Sequence, residues 1–170
     1  ALCRENGMEL TVIEEMDDMG LPISATRIRE AVACGDTRTA FRLAGYPFVI
    51  DQPVVCGERL GTAYDLPTIN QPIPAGYCVP KFGVYAAAAL VGGKLWPAAA
   101  DVGVKPTVSR EGAVMAETHL IGWSGDLYGE RVPVFFLSYL REERAFGSEI
   151  ELFAHIAADD LGSLGFGQGY

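Results

Sequence analysis

From Tyr46 onward the chain is a succession of strand-length segments divided by turn signals. "PFVIDQPVVC", "KFGVYAAAAL", "KLWPAAADVG", "AVMAETHLIGW" and "RVPVFFLSYL" are rich in β-branched, aromatic or alternating residues. Such segments fit a pleated, half-buried surface rather than a helix face. Gly92-Gly93 suits a tight hairpin, and Gly125-Asp126 a further turn. Several short strands at this spacing restrict the fold to a small antiparallel barrel or sandwich.

The first forty-five residues carry a different pattern. "MELTVIEEM" reads as a short strand running into an acidic turn. In "ISATRIREAVACGD", Ser24 is placed to cap a helix starting at about Ala25, and Gly35 to stop it. Asp36 can cap a second short helix, "TRTAFRLA", ending at Gly45. Beyond the last strand, Ser148 and Glu151 form an S-x-x-E capping box. The helix predicted there carries Ile150, Phe153, Ile156 or Ala157, and Leu161 on one stripe that can pack on the barrel. Residues 165–170 belong to a glycine-rich end expected to fray.

At 170 residues and 49% apolar content the chain can bury one ordinary core. A formal charge of -9 argues against a nucleic-acid partner, whose phosphates call for a basic surplus. It does not exclude a phosphate ligand held by local donors or a bound cation. Cys3, Cys34, Cys56 and Cys78 are widely spaced, with no CxxC pair, which fits free thiols in a reducing cytosol. No apolar run reaches membrane-spanning length and nothing resembles a signal peptide. The expectation is a soluble cytoplasmic protein without a membrane partner.

The densest chemistry lies in "CGERLGTAYDLPTIN". Gly57 and Gly61 can let backbone N–H groups face an anion without Cβ obstruction. An ordinary hairpin loop uses glycines in the same way. Thr68 and Asn70, two apart, present neutral oxygens on one side of an extended segment. They suit a hard cation such as Mg2+, or hydrogen bonds to nearby backbone. In "VMAETHLIGW", alternation puts Met115, Glu117, His119 and Ile121 on one face. The opposite face takes Val114, Ala116, Thr118 and Leu120. Glu117 there is either a general base for a hydroxyl proton or half of a cross-strand ion pair. His119 reads as structural. Tyr128 can flank a planar ligand and Arg141 can face an anion, though "REER" is also an ordinary solvated charge run.

Taken in order, "GERLG…LPTIN", "PKFGVYA", "VGVKPTV", "AETHL", "GDLYGERV" and "YLREERAF" resemble the riboflavin kinase family, in the form fused behind an FMN adenylyltransferase in bacteria. The resemblance runs from Tyr46 to Leu164. It implies a six-stranded Greek-key antiparallel β-barrel with a C-terminal helix over 46–164. It also implies transfer of the ATP γ-phosphate to the 5′-hydroxyl of riboflavin, giving FMN and ADP. By the same resemblance Thr68 and Asn70 hold Mg2+, Glu117 is the catalytic base, and Gly57 and Gly61 belong to the loop over the nucleotide phosphates. Asp126, Tyr128 and Arg141 fall in loops that border the ligands. "ISATRIRE" is similar to the signature closing the adenylyltransferase half, so residues 1–45 are expected to be its C-terminal remnant, with the rest in the full-length chain. Adenylylation also needs an upstream H-x-G-H turn, and the only histidines are His119 and His155; that activity is not expected. Four positions depart from the family pattern: Tyr64-Asp65 replace a leucine and a glycine, Ile69 a common alanine, and Asp101 a frequent asparagine. Asp65 adds charge beside the implied phosphate site, which favours the alternative of a flavin- or nucleotide-binding barrel without turnover.

Overall fold

The computed structural model describes residues 2–56, 68–105 and 113–142. Gly57, Gly61 and Asp65, and the helix expected after Ser148, lie outside the described residues. The chain opens with a short helix α1 (Leu2–Glu5) and a minimal pairing of β1 (Asp17–Asp18) with β2 (Leu21–Pro22). The strand expected within "MELTVIEEM" is not formed. Leu10, Val12 and Ile13 are exposed and irregular instead. A strand needs a pairing strand to receive its run of backbone groups, and among the described residues none pairs with this segment, whose far end accepts one hydrogen bond, from the Ile23 N–H to the Met16 carbonyl.

Two helices follow, bounded as the sequence predicts. α2 (Ala25–Cys34) has Ser24 as N-cap, its hydroxyl accepting from the Arg27 N–H, and Gly35 as a left-handed C-cap. α3 (Thr37–Ala44) has Asp36 accepting from the Thr39 N–H and ends at Gly45. Arg27 and Arg42 both grip the Asp18 carboxylate, at 3.3 and 2.9 Å, tying the β1–β2 turn to the helices. Ala31, Val32 and Ala40 form a small apolar contact with Phe48 and Cys78. The Lys81 N–H donates to the Val32 carbonyl at 3.2 Å, so the helical pair is docked on the sheet that follows.

That sheet contains β3 (Phe48–Pro53), β4 (Thr68–Pro72), β5 (Gly83–Val91), β6 (Lys94–Lys105), β7 (Ala113–Leu120) and β8 (Arg131–Arg141). All neighbours are antiparallel, in the order β3-β8-β5-β6-β7-β4. The result is a mainly β protein: a six-stranded curled half-barrel preceded by short helices. Curling brings the two edge strands together. The Val55 N–H, just past β3, donates to the Asn70 carbonyl of β4 at 2.8 Å.

Inside the curl lie Tyr85, Ala87, Ala98, Ala100, Val102, Ala116, Val132, Val134 and Phe136. Tyr85 and Phe136 meet edge to face at 5.0 Å, and burying a side chain such as Phe136 stabilises by roughly 1.5–3 kcal/mol relative to exposure. The Tyr85 hydroxyl is not wasted there: it donates to the Lys81 carbonyl at 2.6 Å. Val84 through Ala89 are all fully buried, so β5 is covered on both faces. That explains its alanines, since a wider side chain on either face would meet packed neighbours. Gly92 and Gly93 both adopt positive φ and close the β5–β6 hairpin as expected.

Candidate functional site

The site is set by the pairing of edge strand β4 with β7. Thr68 lies opposite His119, Ile69 opposite Thr118, and Asn70 opposite Glu117. Residues directly opposite in an antiparallel pair share a face, so Thr68, Asn70, Glu117 and His119 stand on one side. Ile69, Gln71, Ala116 and Thr118 turn to the interior, where all four are buried. The alternation predicted for β7 is therefore the observed one. Glu117 is on the face away from the core and only partly buried.

The Thr68 hydroxyl donates to Glu117 Oε1 at 2.9 Å. Donation uses the single hydroxyl proton and leaves both lone pairs of the oxygen available to a further group. Asn70 faces the same carboxylate from directly across the strand pair. Thr68, Asn70 and Glu117, selected from separated parts of the sequence, are thus brought together.

The row continues beyond β7. Asp101 lies opposite Glu117, Val84 opposite Asp101, and Arg141 opposite Val84. Asp101 is 4% exposed and His119 6% exposed. With strands about 4.8 Å apart, Arg141 starts roughly 14 Å from Glu117 along this row. It shares the face but is not beside the carboxylate. Its Nη1 donates to the Glu142 carbonyl at 3.2 Å.

Asp126 and Tyr128 sit in the connection between β7 and β8. The Asp126 carboxylate accepts from the Tyr128 N–H at 2.9 Å, an Asx turn that gives Asp126 a local structural task. Tyr128 is 54% exposed. This turn is stitched to the end of β3: the Gly129 N–H donates to the Val54 carbonyl at 2.9 Å, and the Val54 N–H to the Glu130 carbonyl at 2.8 Å. Since the next residue, Val55, is bonded to Asn70, the turn occupies a corner adjoining β4.

Two residues that sequence reasoning did not place belong to this neighbourhood. Asp101 had no signal beyond its departure from a family asparagine, and only register puts it opposite Glu117. Gln71 is fully buried, yet in "PTINQP" it reads as a surface residue. Its spacing from Ile69 was the available signal, because both fall on the inward phase of the strand.

Comparison with known proteins follows the same segments. Residues 44–161 match the family described as riboflavin kinase, or flavokinase. The bifunctional riboflavin kinase/FMN adenylyltransferase of Pseudomonas fluorescens is 37% identical over 153 residues, covering 90% of this chain and 49% of that protein. The protein of the same description from Escherichia coli K12 is 37% identical over 158 residues, covering 92% and 50%. The chain spans about half the length of the curated relatives it matches. Among solved structures, the crystal structure of a macrolide-efflux protein from Streptococcus pneumoniae is similar with a TM-score of 0.70 and 27% identity, covering 99% of this chain and 54% of that one.

Proposed function

Because the chain belongs to the riboflavin kinase family, we propose that it transfers the γ-phosphate of ATP to the 5′-hydroxyl of riboflavin, giving FMN and ADP. The observation that carries this reading is the convergence of Thr68, Asn70 and Glu117 on one face, with Thr68 Oγ1 2.9 Å from Glu117 Oε1. A phosphoryl transfer to an alcohol needs a base for the hydroxyl proton and a means of steadying phosphate charge. Glu117 supplies the base. The hydroxyl oxygen bonds to the γ-phosphorus, the bond from that phosphorus to the β–γ bridging oxygen breaks, and ADP leaves with the electron pair.

The donor set fits a Mg2+ ion accompanying the nucleotide: a hydroxyl, an amide carbonyl and a nearby carboxylate are hard oxygen ligands. Thr68 and Asn70 are the residues that would hold it, and when bound it would neutralise charge on the transferring phosphate. Thr68 also keeps the Glu117 carboxylate in a fixed orientation, so the base need not be ordered at each turnover. Residues 1–45 are read as the end of an adenylyltransferase half like that of the bifunctional relatives. Gly57 and Gly61 complete this reading as the phosphate loop, and Asp126, Tyr128 and Arg141 as its ligand border.

The test is to incubate the protein with riboflavin and MgATP and follow FMN by chromatography and ADP by a coupled assay. Equimolar FMN and ADP are expected. Binding of riboflavin or nucleotide with no FMN formed would replace the kinase by a barrel that binds without turnover.

A further inference from the structure

β4 is an edge strand, and an edge strand has a ladder on one side only. On that side it pairs with β7. On the other side, among the described residues, the backbone tie is the Val55–Asn70 bridge just past β3. Apart from that bridge and the packing of Ile69 in the apolar cluster that also holds Ile50 of β3, a firm tie to the far edge needs a polar side chain that spans the gap. One does. Gln71 is 0% exposed, and its Nε2 donates to the Gln52 carbonyl at 2.6 Å and to the Val132 carbonyl at 2.8 Å.

Those two acceptors are a single facing pair of the β3–β8 ladder. One amide nitrogen therefore gives both of its hydrogens to one rung on the opposite edge of the curl. The same amide's Oε1 is buried without a hydrogen-bond partner among the described residues. An aliphatic side chain would fill this interior position without leaving an acceptor unsatisfied. The polar group is explained by the two bonds it makes across the gap.

We propose that Gln71 is a positioning residue for phosphoryl transfer, fixing β4 against β3 and β8 so that Thr68 and Asn70 meet the nucleotide at a set height beside Glu117. The inference rests on the kinase reading above. Asn70 precedes Gln71 directly, and Thr68 lies one strand repeat further on. Tilt or slide at Gln71 is therefore transmitted to both through a few rigid peptide units. Glu117, on β7, is held separately by the β6 and β4 ladders. Loss of the clamp should change nucleotide binding more than riboflavin binding.

The experiment compares wild type with Gln71→Met, which keeps length but removes both donors. Gln71→Asn, too short to span the gap, is the second variant should the first fail to fold. Leu43→Ala, a buried position on α3 outside the β3–β8 rung that Gln71 bonds, serves as a control for general destabilisation. Measurements are made below the melting transition of each variant. The expected result is a loss of MgADP affinity of about tenfold or more in the Gln71 variants. The KM for MgATP should rise while the KM for riboflavin holds, and amide exchange should quicken at Ile69 and Gln71 but not in β5. Leu43→Ala should bind MgADP as wild type does. Gln71 variants with wild-type MgADP affinity would reduce Gln71 to a structural clamp and overturn the proposal. Failure of the wild type itself to bind MgADP would instead overturn the kinase reading, and the exchange data would still report whether Gln71 holds β4.

Discussion

Replacing Glu117 by glutamine separates its chemical task from its structural one. Glutamine keeps the shape and a carbonyl oxygen that can accept from the Thr68 hydroxyl, now 2.9 Å from Glu117 Oε1. It cannot take a proton. The Thr68 bond changes from charge-assisted to neutral, which weakens it by about 1 kcal/mol at most, and by less at this partly exposed position. Stability and riboflavin binding should therefore be nearly unchanged. Loss of a general base costs roughly a hundredfold or more in turnover, equivalent to about 2.7 kcal/mol of barrier. FMN formation at saturating MgATP and riboflavin gives kcat, and calorimetry gives the binding constants. A Glu117→Gln protein that turns over near the wild-type rate with normal binding would show Glu117 to be a structural partner and not the base.

Thr68→Ala and Asn70→Ala should each remove Mg2+-dependent ADP binding while the far-ultraviolet spectrum stays native, and calorimetric titration checks both; wild-type affinity in either mutant refutes its part in holding the cation. Gly83→Ala should lower stability by more than about 2 kcal/mol, because Gly83 has φ of 138° and an added Cβ would collide with the Arg141 carbonyl oxygen and the Tyr139 ring; a thermal melt within a degree of wild type would contradict this. Asp36→Ala should cost about 1 kcal/mol near neutrality through loss of the α3 cap. The Thr39 backbone N–H holds the Asp36 carboxyl below its ordinary value. Its contribution is present above the unfolded value and is lost as pH falls through the folded one, so denaturant curves of wild type and mutant should converge in strong acid.

The helices and most strands were legible because their signals are local. Ser24, Gly35, Asp36 and Gly45 each cap a helix end through bonds within a few residues. The five strand segments carry their own apolar patterns, and Gly92-Gly93 its own turn. β4 was anticipated only as an extended stretch around Thr68 and Asn70. Five residues with three polar side chains and a proline do not advertise a strand; what makes it one is the ladder supplied by β7. "MELTVIEEM" failed for the converse reason. Its apolar residues favour a strand, but among the described residues no neighbour accepts them. Propensity states what a segment can do, and pairing decides whether it does.

The site follows the same division, one level up. Residue types and spacing selected Thr68, Asn70 and Glu117, but could not distinguish a cation ligand from a turn hydroxyl, or a base from half of an ion pair. Register reduces these alternatives. A slip of one residue between β4 and β7 would turn Thr68 and Asn70 toward the core and put Ile69 and Gln71 beside Glu117. The interior pins the observed register from beneath, because Ile69 is buried in the apolar cluster and Gln71 is bonded to Gln52 and Val132. The same register sets Asp101 opposite Glu117, so two carboxylates share a rung in a protein of net charge -9. Side chains facing across such a pair are about 5 Å apart, where like charges repel appreciably even at a high effective dielectric. A nucleotide brings further negative charge to this face. The proposed chemistry therefore turns on Thr68 and Asn70, whose neutral oxygens on the exposed edge of the row can take a cation without adding negative charge.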